Sequence, residues 1–434
     1  MSSWAERDKR VCWHPFTQMQ EWCAGSPLVI DRGEGNYLVD VDGNRYLDGV
    51  ASLWCNVHGH RHPRLDAALI AQVGKLAHST FLGLSHPPGI ELAEELVRIA
   101  PSGLTKIFYS DSGSEAVEIA LKLAFQFHRL RGQSKRQRFL HLTQGYHGDT
   151  LGAVGVGGIE VFHRVFGPLI VPGTAVEPAY LHRMFDPQVA MEIALKQLDE
   201  VLEREGHELA AVVVEPLIQG AAGMLTHVPG YLRVLTERCR AAGLLVIVDE
   251  VATGFGRTGR MFACTSEDVS PDLMCVAKGL TGGYLPLAAT LATEQIYAAF
   301  LGPRLEGRHF FHGHTFTGNP LACAVAVESI RLLEASTMAS GQAAAKELEG
   351  LLRTEIAGLP GVVDVRQVGL MIGIELDHPD PLAGARVCDE ARRQGVILRP
   401  LGNVVVWMPP LTIEPAQCET LSKVTRQAIL TVIG

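Results

Sequence analysis

The 434-residue chain has little that would serve a secreted, metal-held or membrane-embedded protein. It has nine cysteines, at 12, 23, 55, 239, 264, 275, 323, 388 and 418, but nowhere a C-x-x-C. An odd, scattered set argues against a zinc ribbon and a disulfide framework alike, so reduced thiols in a cytoplasmic protein are expected. No H-E-x-x-H occurs, and no apolar run nears the roughly 18 residues that a membrane span needs. Met1 to Arg10 is polar and charged, so no secretory leader is expected. Basic residues are outnumbered: the net charge is -9, which disfavours a broad nucleic-acid-binding face. Repeats, low-complexity tracts and long Pro/Gly/Ser linkers are missing as well.

What remains is ordinary globular composition, 47% hydrophobic and 20% charged, in a chain long enough for two or three domains. Residues 28–50 hold short apolar runs around an Asp42-Gly43 turn and predict a small antiparallel ribbon. The middle alternates. Strands are predicted at 105–110, 138–143, 209–215, 244–250, 272–278 and 287–293, with helical patterns at 114–130, 190–205 and 230–242. Runs such as Leu244-Leu245-Val246-Ile247-Val248 are apolar without alternation, as strands covered on both faces are. The fold class is therefore α/β, a large domain built on a mostly parallel sheet, followed by a smaller α+β domain. That second part has helical material at 321–356, strands in 362–377 and 396–407, and helices near 383–394 and from 414. The expected division is 1–60 contributing to the small domain, 61–320 the large domain, and 321–434 the small domain.

Ligands of open parallel sheets bind beyond the carboxyl ends of the strands, so the residues after each strand are the ones to weigh. Ser112 and Glu115, after 105–110, have capping-box spacing; the free N–H groups of Gly113 and Ser114 suit a phosphate, or merely cap a helix. Tyr146 lies between Gly145 and Gly148 after the next strand, placed to stack on a planar ring or simply to pack in a turn. Asp249-Glu250 ends a buried strand, where a carboxylate needs a cationic partner: a protonated ring nitrogen, or a structural ion pair. Lys278 closes another apolar strand. Desolvation there lowers an amine's pKa and frees it for imine formation, whereas a lysine reaching solvent does nothing of the kind.

Two tempting patterns are set aside. Gly254-Phe255-Gly256-Arg257-Thr258-Gly259 matches G-x-G-x-x-G, but it begins four residues past the strand-end Glu250 and opens no clean helix, so it is not read as a dinucleotide site. His58, His60 and His62 alternate, yet Gly59 and Pro63 break a regular strand and no ligand set is completed; no metal site is expected.

Taken together, YSDSGSEAVEIALK (109–122), GYHGDT (145–150), VVVEPLIQGAAGM (212–224), VIVDEVATGFGRTG (246–259), AKGLTGGYLPLAAT (277–290) and HTFTGNPLACAVA (314–326) resemble the class-III aminotransferases of fold type I, which use pyridoxal 5'-phosphate (PLP). WHPFTQM (13–19), NVHGHRHP (56–63), HSTFLGLSHPP (78–88) and ILRPLGNVVVWMPPL (397–411) extend the resemblance to the branch that serves biotin biosynthesis, and so across nearly the whole chain. The resemblance implies that Lys278 anchors PLP and moves the proton. Gly113 and Ser114 would cradle the phosphate, Tyr146 stack on the ring, and Asp249 keep the ring nitrogen protonated. His314 and Thr315 would reach the phosphate of the neighbouring subunit of a homodimer. Phe16, Leu53, Trp54, Tyr146, Gly313 and Arg399 would meet the substrates, Arg399 by pairing with the carboxylate of 8-amino-7-oxononanoate. No nucleic acid or membrane partner is implied.

The chain departs from that branch where its aromatics shape the donor pocket. Most members read WHPYTSM, SSWW, HGPTF and a Tyr before MPP. Here Phe16, Leu53, His314 and Val406-Trp407 stand in those places. The amino donor expected from the resemblance is S-adenosylmethionine, or lysine as in the members with WHPFTQM, NVHGH and HGH patterns. Two other readings compete: a different class-III member such as an ω-amino acid transaminase or aminomutase, which WHPFTQM and Arg399-Pro400 disfavour, and a PLP-bearing sensor without turnover, which Asp249 and Lys278 disfavour.

Overall fold

The computed structural model describes residues 3–181 and 186–434. Three strands come first: β1 (Ile30–Glu34), β2 (Tyr37–Asp40) and β3 (Arg45–Asp48), antiparallel and turning at Asp42-Gly43 as the sequence predicts. The central elements follow: β4 (Leu104–Ser110), β5 (Arg138–Leu142), β6 (Thr174–Val176), β7 (Leu209–Val214), a short hairpin of β8 (Ile218–Gln219) and β9 (Leu225–Thr226), then β10 (Leu245–Asp249), β11 (Leu273–Val276) and β12 (Ala288–Thr293). Seven of these form one sheet in the order β4-β12-β11-β10-β7-β5-β6. The run from β11 to β6 is parallel, and β12 is antiparallel to both of its neighbours. That exception has a simple cause. Between β11 and β12 lies only the short glycine-containing stretch 277–287, with no crossover helix, so the chain can only reverse.

The sheet is buried on both faces, which is why its strands read as continuous apolar runs. Every residue of β7 and β10 is buried. On one face lies the helix Gly113–Leu130, whose Ala116, Ile119, Ala120, Ala124 and Phe127 pack with Ala211, Val213, Ile247 and Leu273. Removing such a side chain, as in Ile119→Ala, costs about 2–5 kcal/mol. Helices Pro187–Glu205 and Tyr231–Ala241 cover the other face.

Beyond the sheet, a helical run from Pro320 to Ile356 passes through two π turns, Leu333–Thr337 and Leu352–Ile356. It leads to β13 (Val362–Val368), β14 (Met371–Leu376), β15 (Val396–Ile397), β16 (Arg399–Leu401) and β17 (Val404–Trp407), with helices Ala383–Arg393 and Pro415–Ile433. Here β13-β14-β17-β16 make one four-stranded sheet. β15 instead pairs in parallel with β3, so residues near 45 and near 396 share a sheet. Helices Pro63–Val73 and Pro87–Ile99, each opened by a proline, and the short strands β6, β8 and β9 were not foreseen. Among the described residues no helix is long and apolar enough to cross a membrane.

Candidate active site

Strands β7 and β10 are neighbours in the sheet, and each delivers a carboxylate just where it ends. Asp249 is the last residue of β10. Its Oδ1 accepts the Val251 N–H at 3.0 Å and its Oδ2 meets Nδ1 of His147 at 2.7 Å. Glu215 follows β7 directly; it accepts the backbone N–H of Tyr146 and of Gly220, both at 3.0 Å. All three ionisable side chains are buried. Burial pushes the Glu215 carboxyl up to about 7. For His147, burial alone would favour the neutral ring, but the bond to Asp249 and the nearby charges outweigh it and the pKa rises.

Lys278 lies two residues past β11, not within it as the sequence suggests: the strand stops at Val276, and Lys278 opens a single 3₁₀ turn with φ of +48°. The positive φ of a residue bearing a side chain is a strained choice, of the kind that clusters at functional sites. Burial lowers the amine's pKa, while Asp249 and Glu215 pull the other way. Its Nζ sits over the ring of Trp54, 4.9 Å from the centroid.

The start of the helix Gly113–Leu130 forms the third wall. Ser112 and Glu115 complete the expected capping box, and Ser114 Oγ lies 2.7 Å from Thr150 Oγ1. Gly113 is required here, because a Cβ would come within 2.6 Å of the Val251 side chain. Beside this turn, Asp111 pairs with His314 Nδ1 at 3.4 Å. Burial raises the Asp111 pKa, and His314 works against that rise.

Six of the predicted residues, Trp54, Gly113, Ser114, Tyr146, Asp249 and Lys278, line one cavity of about 750 Å³. Tyr146 donates its hydroxyl to Asp149 Oδ2 at 2.8 Å. Phe162 links it to the N-terminal segment, with its ring 6.3 Å from Tyr146 and 5.4 Å from Phe16. Arg399, half-buried at the start of β16, stands outside that lining; burial lowers the guanidinium's pKa. Phe16, Leu53, Gly313 and Thr315 are exposed and stand outside the cavity lining.

Three further side chains, His147, Glu215 and Arg257, lie in the stretches that carry the family resemblance, without a role expected from the sequence alone. Arg257 is fully buried, bonds to the Pro409 carbonyl, and is lowered by burial to about 10 while acting electrostatically on Lys278. The rule that singled out Asp249, a carboxylate at the end of a buried parallel strand, applies equally to Glu215 one strand away. Among the described residues no cluster of three His, Cys, Asp or Glu side chains is placed to hold a metal. His58 instead lies between Thr337 Oγ1 and Ser329 Oγ, at 2.9 and 3.0 Å, and burial lowers it to about 3.

The donor set fits a phosphorylated, planar, nitrogen-bearing aldehyde. It offers open helix N–H groups for an anion, a buried carboxylate for a ring N–H, and a desolvated amine for the carbonyl. Among the described residues, the buried atoms Trp54 Nε1 and His314 Nε2 have no hydrogen-bond partner.

The pattern of the family described as aminotransferase class-III matches residues 19–429. The adenosylmethionine-8-amino-7-oxononanoate aminotransferase of Nitratidesulfovibrio vulgaris is 50% identical, over 98% of this chain and 81% of its own length. The crystal structure of the protein of that name from Methanocaldococcus jannaschii is 42% identical with a TM-score of 0.94, covering 99% of this chain and 98% of its own. An amine transaminase from an uncultivated Pseudomonas species, in PLP-bound form, is 36% identical with a TM-score of 0.92, covering 97% and 98%.

Proposed function

Because the chain belongs to the class-III aminotransferases, we propose that it transfers an amino group from S-adenosylmethionine to 8-amino-7-oxononanoate, a step of biotin biosynthesis, with PLP as its cofactor. The observation that carries this reading is the convergence of Lys278, Asp249 and the Gly113-Ser114 helix start on one cavity. Bound there, PLP supplies the carbonyl and the electron sink that amino transfer needs. The protein does the rest. Lys278, desolvated, anchors the cofactor and later carries the proton. Asp249, held by His147 and the Val251 N–H, presents its carboxylate to the ring nitrogen. Gly113 and Ser114 give N–H groups to the phosphate, and Tyr146 covers the ring. On the acceptor side, Arg399 takes the carboxylate, with Trp54, Phe16, Leu53 and Gly313 shaping the remainder of the pocket.

S-adenosylmethionine is the donor in the names of the Nitratidesulfovibrio and Methanocaldococcus relatives, and the comparisons add no support for lysine. The deciding experiment offers each donor in turn with 8-amino-7-oxononanoate as acceptor. Product is expected with S-adenosylmethionine. No turnover with it would overturn the assignment, and turnover of simple ω-amines instead would favour the amine-transaminase reading that the 36% identical neighbour represents.

We further infer a homodimer in which His314 and Thr315 serve the partner's phosphate site, a cytoplasmic location, and the domain division 1–60 with 321–434 around 61–320. The strongly exposed Leu82, Leu84, Phe311 and Phe316 support an interface. The nine unpaired cysteines support a reducing compartment. The β3–β15 pairing supports joining the N-terminal ribbon to the small domain. Sedimentation of the holoenzyme as a monomer would remove the shared-site reading.

A further inference from the structure

The segment that carries Trp54 is strained. Ala51, Ser52 and Trp54 have φ of +48°, +62° and +65°, and Ser52 combines its φ with a ψ of −71°, a rare and strained tight-turn conformation. Three side-chain-bearing residues out of four keep such geometry only if something outside the segment holds it. That holder is Asp48, the final residue of β3, whose side chain is fully buried. Its Oδ1 accepts the Ser52 N–H at 2.9 Å, and its Oδ2 accepts both the Ser52 hydroxyl at 3.0 Å and His60 Nε2–H at 2.9 Å.

His60 is fixed in turn. Its backbone N–H bonds to the Gly35 carbonyl at 2.6 Å. Its side chain lies so close to β1 that a Cβ on Gly33 would come within 2.5 Å of it. At the other end of the segment, Trp54 is 7% exposed and its ring lies against the Lys278 amine. A purely structural tie between β3 and the following loop would not need to force Ser52 into this conformation. The strain has one visible product, the placement of an aromatic face on the amine.

We propose that Asp48 and His60 are positioning residues, a clamp that holds the strained Ala51–Trp54 segment and so keeps the Trp54 ring against Lys278. The inference rests on the transaminase reading of the cavity. Its chain of contacts starts in the N-terminal ribbon, outside the cavity lining, and ends on the reacting amine.

The test uses Asp48→Asn, His60→Leu and His60→Gln. In the cofactor-free protein, Trp54 emission is isolated as the difference from Trp54→Phe, and its quenching by acrylamide is measured. Protected in the wild type, it becomes accessible in D48N and H60L. Single-turnover reaction of the holoenzyme with S-adenosylmethionine slows about 10–100-fold, the scale of a misplacement near one ångström. H60Q, which still donates to the carboxylate, keeps both properties. Ser52→Gly in the D48N background, by removing the strain, restores part of the protection. If D48N does not fold, H60L gives the same reading with the carboxylate in place. Trp54 remaining protected in D48N and H60L, or H60Q failing as badly as H60L, overturns the proposal. A wild-type protein inert toward S-adenosylmethionine would sink the functional reading alone, because the quenching arm uses no substrate.

Discussion

Glu215→Gln tests the electrostatics of the site without any substrate. In the folded protein burial raises this carboxyl from 4.5 to about 7. The native state therefore binds more protons than the unfolded chain between those values. The stabilisation linked to this proton is complete below the unfolded value, and it is lost as pH rises through the folded one. Integrated between about pH 5 and about pH 8, the loss is about 2.5 kcal/mol. Glutamine cannot titrate, so that share of the pH dependence disappears. It also cannot accept both the Tyr146 and Gly220 N–H groups with one carbonyl oxygen while keeping its own amide satisfied, which costs about 1–3 kcal/mol. From about pH 5 to about pH 8, E215Q should therefore gain about 2.5 kcal/mol on wild type, starting less stable by its fixed hydrogen-bond cost and ending as stable or more stable. Urea unfolding of the cofactor-free protein, at one fixed protein concentration, measures both. A residual slope of the same sign should survive, because His147 is also raised in the folded state and its stabilisation fades above the ordinary histidine range. Equal pH dependence in the two proteins would refute the claim that Glu215 is buried and titrating.

The other predictions concern the cofactor and the acceptor. Lys278→Ala should abolish turnover and the absorbance band of lysine-bound PLP; retained turnover would remove Lys278 from the mechanism. Gly113→Ala should weaken PLP binding about tenfold or more, measured by cofactor titration, because its Cβ would meet Val251 at 2.6 Å. Unchanged affinity would mean that the helix start moves freely. Arg399→Lys should raise KM for 8-amino-7-oxononanoate about 10–100-fold with a smaller change in kcat, since an ammonium cannot make the forked contact. An equal fall in kcat alone would place Arg399 elsewhere than on the acceptor carboxylate.

The large sheet could be read from the residues because its strands obey the simplest rule available, uninterrupted apolar runs followed by helical periods. Its one antiparallel strand, β12, could not be distinguished that way, because Ala288–Thr293 is buried like its parallel neighbours. Asp249 and Lys278 were visible since strand ends are where such sheets bind ligands. His147 was not, because its role depends on a contact with a residue 102 positions away. The 51–54 segment was the most opaque. Its sequence, Ala-Ser-Leu-Trp, has no glycine or asparagine to announce positive φ, and the Asp48 and His60 side chains that contact it and one another lie outside it in sequence.

The pairing of β3 with β15 bears on how the protein is made. A chain emerging from the ribosome has the ribbon β1–β3 early, but its edge partner at Val396-Ile397 arrives only near the end of synthesis. Gly49, one residue past β3, is held there from both sides: its N–H bonds to the Ile397 carbonyl, and its carbonyl accepts the Met408 N–H. The amine, the carboxylates and the helix start all belong to residues already translated by then. A nascent or truncated chain ending before residue 396 should therefore assemble the cofactor half of the cavity while the outer edge of β3 waits unpaired, exposed to chaperones and proteases until the last strands seal the acceptor half.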